Sequence, residues 1–179
     1  MFAYDLRHWK TIEEFKTHLS QHLPAVARWA RGVVIHHTWK PGVNDWRGAP
    51  TMEGMKNYYV AMGWTAGPHL FIAGDSPNPE TAGIWQMTPL NLRGIHAGRY
   101  NTTHWGIEVV GNYDAQPWGA QTNDLTLGAA AALMQWQTIP ATYNTVRGHR
   151  ETGSPKTCPG RMVNMDTFRA ELAAMMRGK

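Results

Sequence analysis

The stretch "GVVIHHT", residues Gly32 to Thr38, is the starting point for predicting the fold of this chain. It is a β-branched run that ends in polar residues, which predicts a buried strand. Neighbouring side chains on a strand point to opposite faces, so His36 and His37 can face a cleft and the core, in either order. Such a pair standing alone is more often structural than ligating, and other residues must decide its role.

Strands and helices alternate along the rest of the chain. The sequence therefore predicts one α/β domain, residues 1–179, with a central mixed β-sheet flanked by helices and an N-terminal helical extension over residues 1–30. Apolar runs predict further strands at "HLFIAGD", "IWQM" and "WGIEVVGNY", and a brief strand or loop at "VRGH". Apolar periodicity and end signals predict helices over residues 11–23, 51–62, 122–139 and 164–176.

The composition and the charge distribution argue against some classes of binding partner. A net charge of +4 is spread along the chain without a basic, aromatic-rich run, which argues against nucleic-acid binding. The N-terminus lacks a basic segment followed by an apolar run, and "LTLGAAAALMQWQTI" is too short to span a bilayer. We expect a protein made in the cytoplasm without a signal peptide, not inserted in a membrane, and monomeric.

The only cysteine lies in "GHRETGSPKTCP", residues Gly148 to Pro159. Glycines, prolines and polar residues predict that this stretch is a loop. Cys158 could be a buried structural thiol, a nucleophile or a metal ligand. A histidine from a strand end, with His149 and Cys158 from one loop, would form the three-ligand set of a catalytic zinc site. A cysteine nucleophile with His149 as its base fits the same spacing equally well.

Glu108 stands in the apolar strand "WGIEVVG" between Ile107 and Val109. A carboxylate there costs stability unless it is paired, faces solvent at a sheet edge or faces a cavity. In the last case burial would raise its pKa into the range that suits proton transfer.

Four segments together resemble the zinc-dependent N-acetylmuramoyl-L-alanine amidases, the family of phage amidase-type lysozymes and peptidoglycan recognition proteins. They are "VVIHHT", "GPHLFIAGD", "GIHAGRYNTTHWGIEVVGNYD" and "GHRETGSPKTCPG", between about residues 32 and 168. The first and last motifs are specific when they occur together and in this order.

The resemblance implies one Zn²⁺ per chain, held by His36, His149 and Cys158. It also implies that Lys156 lies near the scissile carbonyl. Substrate contacts are expected from the remaining candidates, which are His96, His69 and Trp39.

One position departs from the family pattern. Phage lysozymes and catalytic recognition proteins place a catalytic tyrosine where this chain has Pro68, which has no hydroxyl. Other bacterial amidases of the superfamily use a glutamate in an "IGIE" strand, and "WGIE" places Glu108 at the same point. The resemblance therefore implies that Glu108 is the catalytic acid and base.

The implied function is hydrolysis of the amide bond between N-acetylmuramic acid and L-alanine in peptidoglycan, by a phage or prophage endolysin without a separate wall-binding domain. A non-catalytic peptidoglycan-binding module, a cytoplasmic muropeptide-recycling amidase, a thiol amidase and another zinc hydrolase such as a peptidase are the alternatives. Such an endolysin would act on the cell wall after release from the cytoplasm.

Overall fold

Two parallel strands at the centre of a mixed sheet position the candidate residues. A computed structural model describes residues 1–22 and 28–178. The sheet has six strands in the order β1-β4-β3-β5-β2-β6, with β2 parallel to both β5 and β6, and β5 parallel to β3. The strands are β1 (Arg7–Trp9), β2 (Gly32–His37), β3 (Leu70–Ala73), β4 (Gly83–Gln86), β5 (His104–Val109) and β6 (Val146–Gly148).

The helices cover the two faces of this sheet unequally. Helices α1, α3 and α4 belong to the larger apolar cluster, which includes Val33 and Ile35 of β2 and Ile107 of β5. Helix α2 packs on the other face, where Met52 and Tyr59 contact a smaller cluster on β3 and β4. The helices are α1 (Ile12–His22), α2 (Ala49–Ala61), α3 (Ala120–Trp136) and α4 (Met165–Arg177).

This architecture confirms the predicted single α/β domain with a mixed sheet flanked by helices. No helix among residues 1–22 and 28–178 combines the length and apolar character needed to cross a membrane.

The N-terminal segment holds both a predicted helix and an unpredicted strand. A capping box begins the predicted helix: Glu14 N donates to Thr11 Oγ1 at 3.1 Å, and Glu14 Oε2 accepts from Thr11 N at 3.4 Å. Strand β1 was missed, because three residues carry no readable alternation and only pairing with β4 makes them extended. Residues 23–27 of the extension predicted over residues 1–30 lie outside the described residues.

Candidate metal centre

Strand register places the candidate residues side by side on the α2 face of the sheet. His36 on β2 lies directly opposite Glu108 on β5. Ile35 lies opposite Gly148 on β6, so His149 follows immediately beyond the end of that strand. Because Val33, Ile35 and Ile107 face the larger core, alternation turns His36 and Glu108 to the opposite face.

Three side chains converge there into a group that could hold a metal ion. One ligand atom each from His36, His149 and Cys158 lies within 4.8 Å of the others. His36 Nδ1 is 3.7 Å from Cys158 Sγ, and the rings of His36 and His149 are 4.5 Å apart. Two imidazoles and one thiolate form a donor set that suits zinc and leaves a fourth position open.

The ring nitrogens of these histidines are available as ligands because burial keeps the rings neutral. Burial lowers the pKa of His36 well below its usual value, and the neighbouring His96 lowers it further. Burial also lowers the pKa of His149 to about 4, with Lys156 acting in the same direction. A neutral imidazole keeps one bare nitrogen, which a metal ion requires.

Cys158 is a poor nucleophile in this environment without a metal. The side chain is 6% exposed, and burial raises its thiol pKa, with Glu108 acting in the same direction. The His37 backbone N–H donates to Sγ at 3.3 Å, which favours the thiolate but does not reverse the effect of burial. A bound cation would deprotonate such a thiol outright, so this environment favours a ligand over a nucleophile.

The loop that carries Cys158 is held by Arg150. Arg150 N donates to Cys158 O at 2.7 Å, and its guanidinium donates to Gly160 O and Val163 O, both at 2.6 Å, and to Thr157 O at 3.3 Å. The anchoring role of Arg150 depends on carbonyl positions that the sequence pattern does not show.

Asp114 joins the same loop to the end of the central strand. Its Oδ2 accepts from Thr157 Oγ1 at 2.7 Å, and its Oδ1 accepts from Arg161 N at 2.8 Å. The hydrogen bond from Thr157 is the main reason that the pKa of Asp114 is lowered. Asp114 was also missed, because one aspartate after a strand-ending "GNY" resembles an ordinary turn residue.

Glu108 lies beside the ligand group with one oxygen unoccupied. The residue is 8% exposed, Oε1 is 4.0 Å from His36 Nδ1, and Oε2 has no hydrogen-bond partner among residues 1–22 and 28–178. Burial raises the pKa of Glu108 to about 8, and the positive charge of Lys156 opposes this shift. A buried carboxyl with a free oxygen and a pKa near neutrality is suited to exchanging protons with a bound substrate.

The remaining predicted site residues are placed differently from one another. Trp39 is 57% exposed and, with Lys156, lines the groove. His69 is 0% exposed, and both ring nitrogens bind backbone: Nε2 to Leu92 O and Nδ1 to Gly106 N, each at 3.0 Å. The structure thus places His69 inside the protein, away from any ligand in the groove. His96 borders the groove but is mostly buried against His36.

The candidate metal group lies at the base of a groove of about 1070 Å³ between the sheet and α2. Pro68 lines this groove at the position where other members of the resembled family have a tyrosine. Proline has no hydroxyl to offer there. The exposed lining residues are aromatic, apolar or basic: Trp39, Lys40, Tyr58, Met62, Pro155 and Lys156.

Comparison with known proteins shows the family and the fold of this chain. A family model described as N-acetylmuramoyl-L-alanine amidase matches residues 27–161. The structure is similar to the N-acetylmuramoyl-L-alanine amidase LysC from Clostridium intestinale URNW, with a TM-score of 0.66, 22% identity, and coverage of 80% of this chain and 85% of that chain.

Peptidoglycan recognition proteins show the same fold. Drosophila PGRP-LB matches with a TM-score of 0.62 and 22% identity, over 97% of this chain and 87% of that chain. Drosophila Peptidoglycan Recognition Protein (PGRP)-SA matches with a TM-score of 0.62 and 17% identity, over 91% and 82%. Among curated proteins, none matches the chain.

Proposed function

Because this chain belongs to the N-acetylmuramoyl-L-alanine amidase family, we propose that it hydrolyses the amide bond between N-acetylmuramic acid and L-alanine in peptidoglycan, with one zinc ion per chain. The observation that carries the proposal is the convergence of His36, His149 and Cys158 beside the unpartnered Oε2 of Glu108.

The residues present fit a zinc ion. His36, His149 and Cys158 would hold it, since two neutral imidazoles and a buried thiol stabilised by a backbone N–H are zinc donors. When bound in such a set, zinc supplies Lewis-acid chemistry that polarises a carbonyl and makes water more acidic.

Glu108 moves the proton in this proposal. Its free Oε2 faces no competing donor, so it can accept a proton from the attacking water and return it to the amine of L-alanine. The pKa near 8 in the metal-free protein would fall beside a cation, which brings the carboxylate form into the working range.

Lys156 and the groove bind the substrate. Lys156 lines the groove near the candidate metal group, and fixed positive charge there favours the negative charge that develops on the carbonyl oxygen. Trp39 offers an exposed aromatic face at the same groove for a sugar ring or stem peptide.

The experiment that tests the proposal measures free L-alanine amines released from purified peptidoglycan. We expect release by the zinc-loaded protein, its loss after phenanthroline treatment and its recovery when zinc is added. Binding to peptidoglycan without amine release would support a non-catalytic binding module instead. Release of internal peptide amines would indicate a peptidase.

Replacement of Cys158 separates the zinc site from thiol catalysis. We expect Cys158→Ser to lose zinc together with activity, because an alcohol is a much weaker zinc donor than a thiolate. Metal analysis of the purified variant checks this. A variant that keeps one zinc per chain but has no activity would support Cys158 as the nucleophile.

We place the activity in a phage or prophage endolysin that is made in the cytoplasm, acts as a monomer and reaches the wall after release. The support is likeness of fold to proteins titled as amidase LysC and endolysin LysCS. Comparing intact sacculi with soluble anhydro-muropeptides tests this. Faster cleavage of sacculi is the expected result, and strong preference for muropeptides would indicate a recycling amidase.

A further inference from the structure

His96 borders the groove, but its ring is hydrogen-bonded to His36, a candidate metal ligand. Its Nδ1 lies 3.0 Å from His36 Nε2, and its Nε2 lies 3.0 Å from the backbone oxygen of His104. The rings of His36 and His96 meet edge to face with centroids 5.1 Å apart. Both ring nitrogens of His96 are therefore engaged within the protein.

The direction of these two hydrogen bonds follows from the backbone carbonyl of His104, which is the last group in this series of hydrogen bonds. The oxygen of His104 can only accept, so His96 Nε2 carries the proton. A buried imidazolium without a paired carboxylate is costly, so His96 is neutral and its Nδ1 is bare. The bond at 3.0 Å then requires His36 Nε2 to donate, which leaves His36 Nδ1 without a proton.

His36 Nδ1 is the nitrogen on the candidate metal side of the ring. It lies 3.7 Å from Cys158 Sγ and 4.0 Å from Glu108 Oε1. The hydrogen bond to His96 therefore selects the His36 tautomer in which Nδ1 is unprotonated, and Nδ1 is the nitrogen that would bind the metal.

The surrounding chain is built to hold the His96 ring in place. A Cβ on Gly106 of β5 would lie 2.6 Å from His96 Cγ, so the absence of a side chain there lets the ring lie on the sheet. The side chain of Asn101 accepts from the backbone N–H groups of His96 at 2.9 Å and Ala97 at 2.7 Å.

We propose that His96 is a positioning residue for the metal site: by accepting from His36 Nε2 it fixes the His36 tautomer with Nδ1 free, and so raises zinc affinity. This inference rests on the proposed zinc site but not on the identity of the substrate. It changes the role expected from sequence, which was substrate contact.

The test measures zinc dissociation constants by competition with a chromophoric chelator. We expect His96→Phe to weaken zinc binding about 10- to 100-fold, as loss of partners to metal-ligating histidines does elsewhere. His96→Gln should recover most of this affinity, because an amide can accept from His36 and donate to the His104 carbonyl. The matched control His104→Phe, another buried histidine whose ring does not contact His36, should bind zinc as the unchanged protein does.

Two further measurements are independent of the folding of His96→Phe. Long-range ¹H–¹⁵N spectra of the metal-free, unsubstituted protein should show His36 protonated at Nε2 alone. Gly106→Ala, which pushes the His96 ring away without altering it, should weaken zinc binding in the same direction. A His36 proton on Nδ1, or unchanged zinc affinity in folded His96→Phe, would overturn the inference. Absence of amidase activity in the unsubstituted, zinc-loaded protein, with the expected affinity losses in the variants, would count against the proposed function alone.

Discussion

The alternation of side chains along β5 explains how a carboxylate can stand in an apolar strand. Ile107 and Val109 enter the larger core, whereas Gly106 and Glu108 face the α2 side of the sheet. The strand therefore contributes to the core with one set of residues and to the candidate site with the other. The cost of burying Glu108 appears as its pKa near 8.

Replacing this carboxyl by an amide tests its role. We expect Glu108→Gln to lower the rate of amine release at least about a hundredfold, because the amide cannot accept a proton. Zinc content should stay at one per chain, since Glu108 is not one of the three proposed ligands. Glu80→Gln, a change of the same kind at an exposed position, is the control for rate and metal content. Near-normal rates in Glu108→Gln would require another proton-transfer group.

The sequence predicted the candidate metal ligands better than the residues that surround them. His36, His149 and Cys158 lie in short motifs whose order and spacing carry information, and the structure brings them together. His96 lies in the loop after β4, and the same loop encloses His69 through Leu92, so the surroundings of both rings depend on how this loop folds back onto β5. That path is fixed by tertiary contacts, which no local pattern encodes.

The ligand loop is the element on which the site depends most. Arg150 holds four carbonyl groups of this loop when its backbone N–H is included, and Asp114 binds it from the opposite side. The loop has no regular secondary structure beyond the short 3-10 turn His149–Thr152. Its shape therefore depends on these side chains.

Removing the Arg150 guanidinium should loosen this loop. We expect Arg150→Met to lower the free energy of unfolding by about 2–4 kcal/mol, since several hydrogen bonds from a charged donor are lost and their carbonyls are left unpaired. Zinc affinity should fall as well, because the carbonyls of Thr157 and Gly160 on either side of Cys158 lose the guanidinium, although Arg150 N still donates to Cys158 O. Urea unfolding and chelator competition measure the two effects.

An arginine in the same loop provides the control for this change. Arg161 is exposed, and its side chain contributes none of the loop's anchoring bonds described above. Arg161→Met should change stability by no more than about 0.5 kcal/mol. Equal effects of the two substitutions would contradict an anchoring role for Arg150.

Among the elements, the long ones were predictable, and so were the short strands β4 and β6, but β1 was missed. β2 and β5 have β-branched or apolar runs, and α3 and α4 have long helical patterns, so local sequence favours what the fold requires. β1 has only three residues and is extended because β4 offers an edge to pair with. Pairing partners distant in sequence cannot be read from a single short stretch.

The whole molecule is built around a sheet whose two faces serve different purposes. Three helices bury one face and form the larger core, while α2 alone covers part of the other and leaves the groove open. The sequence predicted a mixed sheet flanked by helices. It did not predict this unequal division, which depends on where each connection crosses the sheet.

Several buried neutral histidines should make the molecule sensitive to acid. Burial is the main cause that lowers the pKa of His36 well below 6.5, of His69 to about 4 and of His96 to about 3. Between about pH 6.5 and pH 4 the unfolded chain therefore binds more protons than the folded one. Stability is present above this window and is lost as the pH falls through it.

Urea unfolding of the chelator-treated protein at a series of pH values measures this loss. These three rings together contribute up to about 4 kcal/mol per pH unit to the slope. The lowered pKa of His149 adds to this contribution, and the raised pKa of Glu108 opposes it. His69→Gln should reduce the slope by the contribution of about one proton, since it removes one buried ring that titrates. A stability that stays constant from about pH 7 to pH 4.5 would contradict the expectation.

The isolation of Cys158 has a consequence for the durability of the protein. The chain has a single cysteine, and 6% of it is exposed. Oxidants attack the exposed thiolate form most readily, and a sulfur that is nearly buried in the wall of a groove is kept from contact with the sulfur of a second folded copy. The folded protein should therefore pass between reducing and oxidising surroundings without disulfide-linked aggregation and without losing the sulfur that its metal site requires.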